Sequence, residues 1–173
     1  MLRKPIQSQE ERILVNSLKK KSKKVNVYFN KKTKGKSKYL IGDFYSKKND
    51  ETFKYRSSYE LAFFHQLEAD SNVVNYMYEP FEVAYIDFHK QERNYRPDLL
   101  ILNADGSVIV AEIKPSAMLG DFDVQAKATA ARKYIQNNYK DYRIEYKFIT
   151  EKHIFSNNTE YVKFVAETKN RQF

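Results

Sequence analysis

No cysteine occurs among the 173 residues, which excludes disulfides, thiolate nucleophiles and cysteine-held zinc. Histidine is almost as scarce: His65, His89 and His153 are scattered, without the spacing of metal-binding imidazoles. Any metal must therefore sit on oxygen ligands. No apolar run approaches the roughly 20 residues that a membrane-crossing helix needs, and the opening MLRKPIQSQEER lacks an apolar stretch of signal-peptide type. These absences predict a soluble, unsecreted protein that engages no membrane. At this length the chain can bury one good-sized core but is too short for two ordinary domains.

What the chain has in excess is positive charge, and it is unevenly placed. Of the 31 Lys and Arg residues, 16 fall within residues 1–54 against 5 acidic groups, a local balance of +11; the remainder carries −2. A near-neutral body behind a basic leader gains phosphate-backbone affinity without altering its core. A solvated lysine-rich tail explains the same count equally well. The predicted organisation is a basic N-terminal extension over 1–54, a core over 55–155 and a tail over 156–173.

Within the leader, Ser8 and Glu11 form a capping-box pattern that predicts a short helix with Ile13, Leu14 and Leu18 on its apolar side. Residues 19–24 (KKKSKK) are too charged to pack. From Val25 to Phe53, aromatics alternate with lysines, which predicts extended or irregular structure. Those aromatics suit either a nucleic-acid surface or one edge of the core. Ser57 and Glu60 make a second capping box, opening a helix to about Ala69. An extended segment follows from Glu82 to Phe88, and then RNYRPDLLILNADGSVIVAEIKP reads as strand, turn, strand. A helix over VQAKATAARKYIQNN and a strand over YRIEYKFIT complete the core, and the tail from Glu151 suits either a short helix or an edge strand.

The turn Asn103-Ala104-Asp105-Gly106-Ser107 fits a three-residue hairpin loop with glycine in the left-handed position. That register pairs Asn103 with Ser107 and, counting outward, Asp98 with Glu112. The two carboxylates then share one sheet face with Lys114, above Leu100, Leu102, Val108 and Val110. Leu99, Ile101, Ile109 and Ala111 fill the opposite face, so helices must cover both sides. Glu112 interrupts an apolar run, and its burial costs on the order of several kcal/mol unless a cation compensates. A hard cation such as Mg²⁺ takes one or two carboxylates plus waters and phosphate oxygens, which Asp98 and Glu112 could supply. Lys114 would then lie near an attacking water or a scissile phosphate. A plain ion pair of Lys114 with either carboxylate is the alternative use of the same residues.

Pro97-Asp98 followed, after thirteen residues, by Glu112-Ile113-Lys114 resembles the PD-(D/E)XK nuclease motif. Its surroundings, Tyr55 to Glu60, Tyr78 to Phe81, and Gln125-Ala126-Lys127 with Ala130-Ala131-Arg132, resemble the branch containing tailed-phage head-completion nucleases and the N-terminal domain of TnsA endonucleases. The resemblance implies an α/β, restriction-endonuclease-like mixed sheet flanked by helices. It implies that Glu60, Asp98 and Glu112 bind Mg²⁺, with Mn²⁺ able to substitute, and that Lys114 is catalytic. It further implies that Gln125 and Lys127 contact DNA or the site. Glu60 is equally placed to act as the cap of its own helix, and His65, one turn on, reads as a packing residue. The pattern departs at Ala128, where an aromatic is expected.

Arg56, Arg93, Arg96 and the leader lysines are candidate phosphate contacts. No groove-reading helix or zinc finger is visible, so strong sequence-specific cutting is not expected. The resemblance favours a head-completion nuclease acting on DNA in the host cytoplasm or the virion, with portal or neck proteins as partners. The chain ends soon after the core, without room for the extra C-terminal domain of TnsA. Alternatives are a TnsA-like end-cutting enzyme with a transposase partner, a junction resolvase or homing enzyme of the same fold, and a non-catalytic DNA-binding virion protein.

Overall fold

The computed structural model describes residues 40–171; the expected Ser8 helix and the lysine run after it lie outside them. Eight strands and four helices follow in order: β1 Gly42–Ser46, β2 Glu51–Tyr55, α1 Ser58–Ala69, β3 Val73–Tyr78, β4 Val83–Ile86, β5 Glu92–Tyr95, β6 Leu99–Asn103, β7 Val108–Ile113, α2 Phe122–Asn138, β8 Ile144–Ile149, α3 Glu151–Ile154 and α4 Asn158–Arg171. The central sheet has the order β3-β6-β7-β8, antiparallel except for the parallel β7–β8 pair. This is the mixed, helix-flanked α/β sheet expected. Two hairpins, β1–β2 and β4–β5, form separate small sheets.

The β6–β7 hairpin has the register that its turn dictates. Leu99 pairs with Ala111 and Leu102 with Val108, the Asn103 amide donates to the Ser107 carbonyl at 2.9 Å, and Gly106 takes the left-handed φ of 79°. Successive side chains therefore alternate between two apolar layers. Leu99, Ile101, Ala111 and Ile113 face α1, while Leu100, Leu102, Val108 and Val110 face α2 and the β4–β5 hairpin. Helix α1 starts at Ser57, whose Oγ accepts from the Glu60 amide at 3.1 Å, and buries Leu61, Ala62, Phe63, Phe64 and Leu67. Helix α2 starts at Asp121, which accepts from the amides of Asp123 and Val124. It packs on the sheet through Ala128 and Ala131, both fully buried. Alanine at the position where an aromatic was expected brings this helix backbone close to the strands.

Three boundaries differ from the sequence reading. Residues 40–54 do not all belong to an arm: β1 and β2 form a hairpin that buries Leu40, Phe53 and Tyr55 against α1, because apolar rings outweigh the flanking lysines once a helix face is available. Its turn also reaches β3, where the Tyr76 amide donates to Asn49 Oδ1 at 3.0 Å and Lys48 Nζ donates to the Val73 carbonyl at 2.6 Å. The segment 93–102, read as one strand, breaks at Pro97. Tyr95 pairs with Val83 in the small sheet, whereas Leu99 pairs with Tyr78 in the central one; proline lacks the ladder donor. The tail is helical, and α4 sets Tyr161 and Phe164 against Phe155. Strand β3 had not been anticipated. Among the described residues no helix is long and apolar enough to cross a membrane.

Candidate active site

One step outward from the Leu99–Ala111 pair, Asp98 stands opposite Glu112 where β6 and β7 end, as the turn register requires. The Glu79 amide holds the Asp98 carbonyl at 2.9 Å, and Asp98 Oδ2 accepts from the Ile113 amide at 2.6 Å. Glu112 is only 3% exposed. Its Oε1 lies 3.0 Å from Lys114 Nζ, and its Oε2 accepts from the Tyr95 hydroxyl at 2.6 Å. The Tyr146 hydroxyl is 2.9 Å from that of Tyr95. Because Tyr95 commits its proton to the carboxylate, Tyr146 donates to the Tyr95 oxygen. Both oxygens of Glu112 are thus fixed, one by a cation and one by a phenol.

Burial and the crowding of charge together set the protonation of this centre. Burial, and then the charge of Glu112, push the Asp98 carboxyl well above the usual carboxylate range. Burial alone would lower the Lys114 ammonium, but Glu112 and Asp98 outweigh it, and its pKa is raised. Lys114 therefore rests as a cation. Burial and then the Glu112 charge also raise the Tyr95 phenol, so it stays a hydrogen-bond donor.

A carboxyl whose folded pKa exceeds its unfolded one binds its proton more tightly in the native state. Its contribution to stability is complete below the unfolded value and is lost as pH rises through the folded one. The metal-free protein should therefore lose stability between acidic and neutral pH, and Asp98→Asn should remove part of that loss. A gain of a few degrees in melting temperature at neutral pH is expected, since ~1 kcal/mol moves the midpoint by about 2–4 °C in a chain of this size. Melting curves of both proteins in EDTA across the pH range check this; parallel curves would show that Asp98 carries no such strain.

The other predicted residues divide into those near the centre and those turned away. Glu60 makes the capping contacts that its sequence allowed: Oε2 accepts from the Arg56 amide at 2.9 Å and Oε1 from Ser57 Oγ at 3.1 Å. Burial raises its pKa, and it feels the charge of Lys114. Among the described residues no three histidine, aspartate or glutamate side chains gather as a metal-holding cluster, though the charge of Glu60 is felt at both Asp98 and Lys114. Arg56 and Arg96 converge on Glu79, at 2.9 and 3.4 Å, and Arg96 also pairs with Glu82 at 2.9 Å. Arg93 pairs with Asp87 at 3.0 Å. Lys127 lies over the rings of Tyr85 and Tyr95, 5.4 and 5.8 Å from their centroids, and Tyr95 in turn is bonded to Glu112. Gln125 is exposed and donates to the Leu119 carbonyl. His65 packs edge-on against Phe44 at 5.0 Å.

Sequence reasoning missed Tyr95, Tyr146 and Glu79. Glu79 holds a left-handed φ of 45°, uncommon for a residue with a side chain, while gripping Asp98 through its amide and two arginines through its carboxylate. Only its place beside Tyr78 and Pro80 hinted at it.

No curated protein matches the chain. Residues 70–151 match the family model described as TnsA-like endonuclease N terminal. That span holds Asp98, Glu112, Lys114, Gln125, Lys127 and both tyrosines but begins after Arg56 and Glu60. The match is consistent with the PD-(D/E)XK nuclease superfamily and supports a nuclease.

Proposed function

We propose that this protein is a metal-dependent DNA endonuclease that hydrolyses phosphodiester bonds at the Asp98–Glu112–Lys114 centre. The observation that carries the reading is the enclosure of two facing carboxylates with a single lysine cation, inside the span of the endonuclease match. Such an all-oxygen pair fits a hard divalent ion, Mg²⁺ or Mn²⁺, which completes its shell with water and phosphate oxygens. When bound, the ion activates water and offsets charge on the phosphate. Asp98 and Glu112 would hold it, with Glu60 joining from α1 by leaving its cap. Tyr95 keeps the Glu112 carboxylate from rotating. Lys114 presents ammonium donors to the attacking water or to a phosphate oxygen. Arg56 and Arg96, steadied by Glu79, and Gln125 and Lys127 on α2 flank the path of the DNA.

The head-completion setting, with portal or neck partners, draws on the sequence resemblance. A TnsA-like endonuclease is equally consistent with the domain that matches, and its end cutting with a transposase partner likewise draws on the sequence resemblance. Cleavage of supercoiled and linear DNA in Mg²⁺, Mn²⁺ or EDTA, wild type beside Glu112→Gln, tests the chemistry common to both. Metal-dependent cutting that disappears in the variant is expected. Equal cutting by the two proteins would remove Glu112 from the mechanism, and no cutting by either would favour a DNA-binding structural role.

A further inference from the structure

The arginines expected to touch DNA are already engaged: Arg56, Arg93 and Arg96 all sit in ion pairs. A run of positive charge without ion pairs lies on α2 and just beyond it. From Val124 to Lys140 there is no acidic residue, while Lys127, Arg132, Lys133 and Lys140 are basic. Arg132, Lys133 and Lys140 are exposed and make no ion pair among the described residues.

These side chains line a groove. Thr129, Arg132, Lys133, Gln136, Asn137 and Lys140 line an open surface depression of about 780 Å³. A second of about 400 Å³ shares Arg132, Gln136 and Lys140 and continues toward β8, over Tyr142 and Tyr146. The Arg132 guanidinium is held 5.0 Å above the Tyr146 ring and 6.0 Å from that of Phe148, so its orientation is set before any ligand arrives. Arg132 and Gln136 stand one turn apart on α2, roughly 6 Å along the helix, comparable with the separation of neighbouring phosphates on a strand, and Lys140 lies in the turn just past the helix end. The inner wall of the groove is Tyr146, whose hydroxyl meets that of Tyr95, the residue bonded to Glu112.

We infer that the groove between α2 and β8 binds the sugar–phosphate backbone of one strand of duplex DNA beside the cut site. The inference rests on the nuclease reading for its ligand. It differs from that reading in assigning backbone contact to Arg132, Lys133, Gln136 and Lys140. The groove offers cations and amides without acids, the composition suited to positioning a backbone regardless of base sequence.

The test is binding of the full chain to a duplex in EDTA, so that no cutting intervenes, for wild type and Lys133→Gln/Lys140→Gln across a range of salt. Both side chains are exposed, and an unchanged melting temperature will show that the variant folds. The basic residues before position 40 contribute equally to both proteins. Removing two phosphate contacts should lower the magnitude of the salt slope by about 2 and weaken affinity by on the order of tenfold at low salt, alike on unrelated sequences. Cleavage in Mg²⁺ at sub-saturating DNA should fall in step with the affinity. Unchanged affinity and slope would overturn the groove, and if Glu112-dependent cleavage persists the nuclease reading survives. Failure of the wild type to bind DNA at all would overturn the groove as well, and loss of Glu112-dependent cutting alongside it would end the nuclease reading.

Discussion

Lys114→Ala is expected to lower the cleavage rate by about 10²–10³-fold, the usual effect of removing a preorganised donor aimed at developing charge. It should leave DNA affinity nearly unchanged, because the basic leader and the surface cations remain. The same substitution strips the one cation from two crowded carboxylates, 3.0 Å from Glu112. Removing one partner of a fully buried pair costs about 3–5 kcal/mol; Lys114 is 27% exposed, so only part of that is expected. The two roles separate by experiment. Melting temperature in EDTA should fall, Mg²⁺ should restore much of it by replacing the lost positive charge, and the cleavage rate should stay reduced. Full activity with reduced stability would make Lys114 a counter-charge and nothing more.

The second large effect concerns the layer that carries α1. Phe64→Ala should destabilise the fold by about 3–5 kcal/mol. The ring is fully buried and packs among Phe44, Phe53, Tyr76 and Tyr78 with centroids between 5.4 and 6.2 Å. It therefore joins the β1–β2 hairpin, α1 and β3 in one contact. Against a typical total of about 5–15 kcal/mol, this loss approaches unfolding. Urea denaturation followed by circular dichroism measures it; a shift under ~1 kcal/mol would mean that the hairpin side opens independently of the sheet.

The carboxylate pair was legible in the sequence because one tight turn fixes everything up to it. Gly106 sets the loop, the loop sets the register, and a two-residue period then places Asp98, Glu112 and their apolar neighbours on a common face. Tyr95 and Tyr146 were not legible. One comes from a two-stranded sheet and the other from the edge strand β8, and periodicity gives the face of a side chain without saying which distant one it meets. The arginines illustrate the same limit: Arg56 is 23 residues from Glu79, and only the folded chain shows that the pair is made. Glu60 is a different case, since its cap and its proposed ligand role use the same residue at the same helix position. The leader boundary was obscured by composition: the lysines around residues 47–54 hid a hairpin whose inward rings are what the core uses.

The turn of that hairpin has a consequence for the sheet itself. Strand β3 lies at one end of the β3-β6-β7-β8 order, and its outward amide and carbonyl at Tyr76 and Val73 are taken up by Asn49 and Lys48. Shortening the chain to residue 55, where the surplus of lysines stops, would leave these groups bare on a strand of Val, Asn, Tyr and Met. An open apolar margin of that kind is a template on which other chains pair and aggregate. The segment that looks in composition like part of a nucleic-acid arm thus also covers the sheet margin, and its removal should favour self-association through that edge.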